Sequence, residues 1–157
     1  MIPESCCSLI KASHVRVSDH RSSTAVFLNT ERSEYRLIRF DGCTVKGTVA
    51  CDWIVEKQNV GRIAVELKGS DVDHAALQIE SALRYMRENG MTELSVAGLI
   101  ICSRYPSIDT KVQRLKQRLA RCQVPDDWLL HNRRALLFGR EVLKAVMAAF
   151  TPGSQAA

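Results

Sequence analysis

No uninterrupted apolar run in this sequence approaches the ~18 residues that a membrane-spanning helix requires. The N-terminus, MIPESCCSLIKASH, has no basic lead followed by an apolar core, so we expect no secretory signal. The chain also lacks internal repeats, low-complexity tracts and long linkers. We therefore expect a cytoplasmic protein with no membrane partner. At 157 residues it should form a single domain over residues 1–150, with a flexible tail at 151–157.

The sequence also lacks the cysteine spacing of a zinc site. Six cysteines are present, but there is no C-x2-C pair and no H-x3-H pattern follows. Several lie in apolar stretches, as Cys102 does in GLIICS, where a free cysteine packs as a small hydrophobe. We therefore expect structural thiols, although the adjacent pair Cys6–Cys7 has no explanation in the sequence.

Aromatic residues make up only 6% of the chain and do not alternate with its basic residues, so base stacking on single strands has little support. Basic residues are concentrated, because residues 111–140 carry a net charge of +6 in a chain of net charge +5. A local basic surface suits a polyanion such as nucleic acid, whereas the alternative is a solvated helix face. The expected phosphate contacts are Lys111, Arg114, Arg118, Arg121, Arg133 and Arg134.

Hydrophobic periodicity predicts an α/β protein. A mixed β-sheet flanked by helices in three layers accounts for the order of elements. Helices are expected at about 5–13, 70–88, 109–122 and 140–150, and strands at 24–30, 35–40, 44–56, 62–68, 94–101 and within 128–137.

The most informative segment is a predicted hairpin whose turn lies at 58–61. A hairpin centred on Asn59 would place Asp52 opposite Glu66, with their Cβ atoms roughly 5 Å apart. Lys68 would share the face of Glu66, since side chains alternate along a strand. A slip of one residue would bury these charges, so the apolar face favours this register. That face would hold Trp53, Val55, Ile63, Val65 and Leu67.

Two carboxylates this close repel each other unless a cation lies between them. Mg2+ (or Mn2+) is the expected occupant, because Mg2+ binds through a few carboxylate oxygens and keeps several waters. Lys68 could orient a water molecule or stabilise charge on a phosphate. The alternative is an ordinary sheet surface, on which glutamate and lysine two residues apart are common.

These residues resemble the motif of the PD-(D/E)xK nuclease superfamily, which includes Holliday-junction resolvases, many restriction enzymes and RecB-type exonucleases. The likeness covers about Thr24 to Ile101, roughly half of the chain. Asp52 takes the place of the first acid, and Glu66-Leu67-Lys68 that of (D/E)xK. Cys51 stands where the motif has proline, a departure that many members share.

The resemblance implies a restriction-endonuclease-like core and a role for each motif residue. Asp52 and Glu66 would bind the metal with help from the Leu67 carbonyl, and Lys68 would position the nucleophilic water. Gln78 corresponds to a glutamine that some members carry on the next helix, although the tyrosine that often follows is missing here. A solvated helix glutamine is the alternative.

Three further residues are weaker candidates. His74 could share the face of Gln78, one helical turn away, although a surface histidine is common at such a position. Glu31 and Glu34 could supply the extra acid that some members carry before the first motif strand.

Together these features predict a metal-dependent hydrolase that cleaves phosphodiester bonds in nucleic acid, with DNA as the expected substrate. An endonuclease could act as a homodimer with one site per protomer. Two alternatives remain open. The chain could be an inactive nuclease-fold module that binds nucleic acid or a partner protein, or a subunit whose site another chain completes.

Overall fold

The computed structural model describes residues 1–19, 24–68, 71–91 and 93–102, and shorter pieces at 113–114, 117–118, 120–121, 129–131, 135–138 and 149–152. A short 3-10 helix, Glu4–Cys6, opens the described chain. The one complete α-helix in these residues is α1, Val72–Glu88. The strands are β1 Cys7–Ile10, β2 His14–Ser18, β3 Thr24–Leu28, β4 Tyr35–Arg39, β5 Trp53–Lys57, β6 Gly61–Lys68, β7 Ser95–Cys102, β8 Leu129–His131, β9 Ala135–Phe138 and β10 Ala149–Pro152.

Seven strands form a mixed sheet in the order β1-β4-β5-β6-β7-β9-β8. The pair β6 and β7 is parallel, because α1 connects them as a crossover, and the other pairs are antiparallel. A second, antiparallel sheet has the order β10-β3-β2. The prediction of an α/β protein with a mixed sheet is therefore confirmed.

Different layers cover the two faces of the large sheet. On one face, Ile54 and Ala64 pack against the buried side of α1, around Ile79. On the other face, Val55 and Val65 pack against residues of the three-stranded sheet, as the shared hydrophobic cluster shows. In the described part of the chain this second layer is a sheet, whereas helices were expected on both faces. Strand β2 explains the difference, since its HVRVS sequence alternates exposed and buried residues with the period of a strand.

Helix α1 begins and ends with recognisable capping residues. Asp71 is its N-cap and accepts a hydrogen bond from His74 N at 3.0 Å, one residue after the cap expected at Ser70. The helix ends at Asn89 and Gly90, and Gly90 has a φ of 66°. Its buried positions recur at helical spacing, as predicted. They include Val72, Ala75, Ala76, Ile79, Leu83 and Met86.

Several predicted elements differ from those observed. The helix expected at 5–13 is wrong, because the segment contains the end of the 3-10 helix Glu4–Cys6 and then strand β1, Cys7–Ile10, and strand β2 begins directly after it at His14. The strand expected at 44–56 begins only at Trp53, and the residues before it form a loop in which Gly47 has a φ of 69°. The single strand expected within 128–137 is two paired strands, β8 and β9. The helix expected at 140–150 lies mostly outside the described residues, but its last two residues, 149 and 150, belong to strand β10, which continues through residues 151 and 152 of the expected tail.

Cys6 and Cys43 form a disulfide with their Cα atoms 5.7 Å apart, so the expectation of thiols is wrong for these two. The bond joins the start of β1 to the turn that follows β4. Closing a loop of sequence separation 37 stabilises the fold by about 4 kcal/mol in the chain-entropy model. Cys7, Cys51 and Cys102 are free thiols, as expected. In the part of the chain that the structure describes, no helix is long and apolar enough to cross a membrane.

Candidate functional site

The hairpin of β5 and β6 has the predicted register. Ile54 lies opposite Ala64, Glu56 opposite Arg62, and Trp53 opposite Val65. The face assignment is also confirmed, because Val55 and Val65 lie in the core on the side away from α1. The pairing therefore brings residue 52 next to residue 66, as the sequence predicted.

Two hydrogen bonds hold Asp52 and Glu66 together. The backbone N–H of Asp52 donates to Glu66 Oε2 at 3.1 Å, and the N–H of Leu67 donates to Asp52 Oδ2 at 2.8 Å. The carbonyl of Asp52 accepts a hydrogen bond from Phe40 N at 2.9 Å, which ties this position to the end of β4. Glu66 is only 2% exposed. The backbone N–H groups of Asp52, just before β5, and of Leu67, on β6, thus position the two carboxylates.

Strand β6 continues beyond the end of its pairing with β5, and this extension forms the site. Trp53, the first residue of β5, lies opposite Val65, whereas β6 continues along β7 to Lys68. The side chain of Asp52 covers part of the edge that β5 leaves open, since it accepts from Leu67 N. The N–H and C=O of one strand residue point to the same edge, so the Leu67 carbonyl is also directed toward Asp52. The role expected of the Lys68 side chain lies outside the described part of the structure.

Gln78 reaches this region from α1. Its Nε2 donates to the carbonyl of Ala50 at 2.9 Å, and the residue is only 8% exposed. Among the described residues no hydrogen-bond partner faces its Oε1, which is a costly state for a buried polar atom. Exchanging the amide O and N would set two acceptors against each other, so this orientation is the favourable one. Gln78 is therefore buried, and it is bonded to the backbone two residues before Asp52, so it is not a solvated helix glutamine.

The pKa of the Cys51 thiol reflects both its burial and the negative charge of the nearby carboxylates. Burial raises its pKa well above the ordinary value, and the charges of Glu66 and Asp52 raise it further. Its Sγ donates to the carbonyl of Trp53 at 3.3 Å, so the protonated thiol has a hydrogen-bond acceptor. The negative field that disfavours a thiolate here favours a cation.

The donor set suits a hard divalent ion. It consists of two carboxylates, Asp52 and Glu66, and the Leu67 carbonyl, all of them oxygen donors, which Mg2+ prefers. No group of three or more histidine, cysteine, aspartate or glutamate side chains is placed to hold a metal within the described ranges. An ion here would therefore complete its coordination with water, as Mg2+ commonly does. The residues fit such an ion.

Two of the weaker candidates lie far from this site. Glu34 pairs with Lys11 at 3.1 Å and precedes Tyr35, which lies opposite Lys57 at the far end of β5. Glu31 is close enough to Tyr35 for its charge to raise the pKa of the tyrosine, after the larger effect of burial. The expectation of an extra acid from Glu31 or Glu34 is therefore wrong. His74 uses its backbone N–H to bind Asp71, and its side chain is half-buried.

The basic segment is described only in part. Arg114 and Arg121 are exposed, but Arg118 Nε pairs with Glu80 Oε2 of α1 at 3.1 Å. Arg118 therefore helps attach this segment to α1. Of the other expected phosphate contacts, Lys111, Arg133 and Arg134 lie outside the described residues.

Sequence reasoning missed the Cys6–Cys43 disulfide and the bond from Gln78 to Ala50. The only sequence signal for the disulfide was the unexplained cysteine pair at positions 6 and 7. Comparison of the chain with protein-family models, with curated proteins and with solved structures finds no match. Any functional assignment therefore depends on the residues of the site.

Proposed function

We propose that this chain is a divalent-metal-dependent nuclease with a restriction-endonuclease-like core, and that its substrate is DNA. The observation that carries the proposal is the placement of Asp52, just before β5, beside Glu66 on the extended end of β6. The order β4-β5-β6-α1-β7, with a parallel pair after the crossover helix, also agrees with the last five elements of the superfamily's α-β-β-β-α-β order. In place of its first helix, the described residues before β4 hold a 3-10 helix and three strands.

The residues have separate roles in this proposal. A bound Mg2+ supplies Lewis-acid charge for phosphoryl transfer. Asp52, Glu66 and the Leu67 carbonyl hold the ion, and Lys68 positions the water that attacks the phosphorus. Gln78 holds the loop at Ala50 and offers Oε1 toward a polar group of the assembled site.

Exposed basic residues of the 113–121 segment would contact the phosphate backbone. Arg114 and Arg121 are the available described candidates, since Arg118 is paired with Glu80. Such contacts depend on salt but carry no sequence information of their own. A cytoplasmic location and a homodimer that cuts both strands remain parts of the proposal, and sedimentation with and without DNA tests the dimer.

Cleavage assays test the proposed function. Purified protein is incubated with supercoiled, linear duplex, branched and single-stranded DNA, and with RNA, in the presence of Mg2+ or Mn2+. We expect metal-dependent cleavage by the natural protein and a loss of about 10²–10⁴-fold in Asp52→Asn and Lys68→Ala. Glu34→Gln is the matched control, because it neutralises a carboxylate at the other end of the sheet and should keep full activity.

The same assays distinguish a nuclease from an inactive binding module and from a subunit that another chain completes. Equal cleavage by natural protein and Asp52→Asn would reveal a contaminating nuclease and contradict the proposal. DNA binding without cleavage, together with no Mn2+ binding by electron paramagnetic resonance, would instead favour an inactive binding module. Activity that appears only on addition of a cell extract would favour a subunit completed by another chain.

A further inference from the structure

The Cys6–Cys43 disulfide is connected to the candidate site through a short series of backbone contacts. Cys43 lies in the turn after β4, where Val45 N donates to the carbonyl of Phe40 at 3.0 Å. Phe40 N in turn donates to the carbonyl of Asp52 at 2.9 Å. The disulfide thus anchors the turn whose base holds the first acid of the site.

The loop between this turn and Asp52 has few other attachments. Its base is closed by a hydrogen bond from Asp41 N to the carbonyl of Cys51 at 3.1 Å, and Gln78 holds Ala50. Residues 46–49 between these points are exposed. Because the middle of the loop is solvated, its conformation depends strongly on the fixed points at its two ends.

The two cysteines of the disulfide differ in burial, because Cys43 is half-buried, whereas Cys6 is only 6% exposed. Cys43 is therefore the side from which we expect a thiol reductant to attack, with Cys6 as the leaving thiolate. Reducing compartments keep most thiols unpaired, so a disulfide in a cytoplasmic protein is commonly a redox-sensing one.

We propose that Cys6–Cys43 is a reversible redox site whose opening lowers the affinity of the Asp52–Glu66 pair for a divalent cation. The inference rests on the proposed function, since it concerns regulation of the same site. Two molecules of a small thiol, such as glutathione, reduce the bond. Both cysteines become thiols, and the two glutathione molecules are oxidised to one glutathione disulfide. Reduction removes one constraint on the turn at Cys43 and leaves the hydrogen bonds from Thr44 N and Thr44 Oγ1 to the carbonyl of Arg39. The turn becomes less tightly held, and with it the backbone contacts that position Asp52.

The test measures Mn2+ affinity by electron paramagnetic resonance, a readout independent of cleavage. The natural protein is compared in its oxidised form, after reduction, and after reoxidation with glutathione disulfide. We expect reduction to raise the Mn2+ dissociation constant by about 5- to 150-fold, the range typical of coupled sites, and reoxidation to restore it. Cys6→Ser/Cys43→Ser should match the reduced protein, and Cys7→Ser should keep the full redox response.

Each outcome bears on one proposal. Mn2+ binding of equal affinity in both redox states would overturn the redox inference and leave the nuclease proposal standing. Absence of Mn2+ binding in both states would instead overturn the metal site, and the redox inference with it. If the double serine variant does not fold, the comparison of the oxidised, reduced and reoxidised natural protein still tests the redox inference. Circular dichroism of the reduced form tests for global unfolding: we expect a native spectrum, and an unfolded one would overturn the redox inference.

Discussion

Asp52 has two tasks at the residue scale, and the structure separates them. Its carboxylate belongs to the candidate metal site, and its Oδ2 also accepts the amide of Leu67, which no neighbouring strand covers. The first task requires negative charge, whereas the second requires only an acceptor. A substitution can therefore remove one function and keep the other.

We expect Asp52→Asn to retain stability, because the asparagine oxygen still accepts the Leu67 amide. Asp52→Ala leaves that amide unpaired and should lower the free energy of unfolding by about 1–3 kcal/mol. Both variants should lose Mn2+ binding. Urea unfolding monitored by tryptophan fluorescence measures the difference, and equal stability of the two variants would show that the hydrogen bond contributes little.

The free cysteines should differ in reactivity. Burial raises the pKa of Cys102 to about 11, and burial together with the charges of Glu66 and Asp52 raises the pKa of Cys51 well above its ordinary value. Cys7 is only half-buried, and its Sγ lies 3.4 Å from the carbonyl of Pro3. Because the thiolate is the reactive form, we expect iodoacetamide to label Cys7 well before the other two at neutral pH. Peptide mapping by mass spectrometry measures the order, and early labelling of Cys51 would contradict the burial of its thiol.

At the element scale, a buried arginine connects the hairpin to the end of α1. Arg62, 7% exposed, pairs with Glu56 at 2.5 Å and Glu93 at 2.8 Å, and it also donates to the carbonyl of Met91. Burial lowers the pKa of Arg62, but its hydrogen bonds to Glu93 and Glu56 outweigh this effect and raise it overall. These contacts attach the segment before β7 to β6.

The pair of Glu93 and Arg62 should make stability depend on pH. The hydrogen bond from Arg62 lowers the pKa of Glu93 below its ordinary value of 4.5. The stabilisation is therefore complete above 4.5 and is lost as the pH falls through the lower pKa of the folded state. We expect Glu93→Gln to be less stable than the natural protein near neutral pH and equally stable in strong acid. Urea midpoints across this pH range measure the effect, and a constant difference would contradict it.

The sequence predicted those elements whose patterns are local. The register of β5 and β6 followed from one apolar face and a turn at Asn59, which has a φ of 61°. Helix α1 followed from its apolar spacing. The N-terminal strands were missed because short apolar runs suit a helix or a strand equally well. The disulfide was also missed, since it depends on tertiary proximity across 37 residues.

At the scale of the whole molecule, the charge distribution decides how DNA could bind. The net charge of +5 arises from the segment at 111–140, and α1 holds part of that segment through Glu80 and Arg118. Arg118 is therefore partly neutralised by a partner within the protein, whereas Arg114 and Arg121 are exposed. These arginines should contribute unequally to phosphate binding.

We expect Arg114→Ala and Arg121→Ala each to reduce the slope of log affinity against log salt by about 1, as the loss of one phosphate contact does. Arg118→Ala should change the slope less, because Glu80 already occupies its guanidinium. Fluorescence anisotropy with a labelled duplex and the cleavage-deficient Asp52→Asn protein measures all three slopes. Equal slopes in the natural protein and these variants would place the DNA contact elsewhere.

Strand β6 extends past the end of β5, and this extension also limits which substitutions the protein can accept during evolution. Under the proposed function, a lineage that abandons catalysis is free to discard the negative charge at position 52, but it must still supply an acceptor for the Leu67 amide. Inactive descendants should therefore carry asparagine or serine at this position far more often than alanine or valine. An asparagine there would mark a nuclease that has become a binding protein while keeping its architecture.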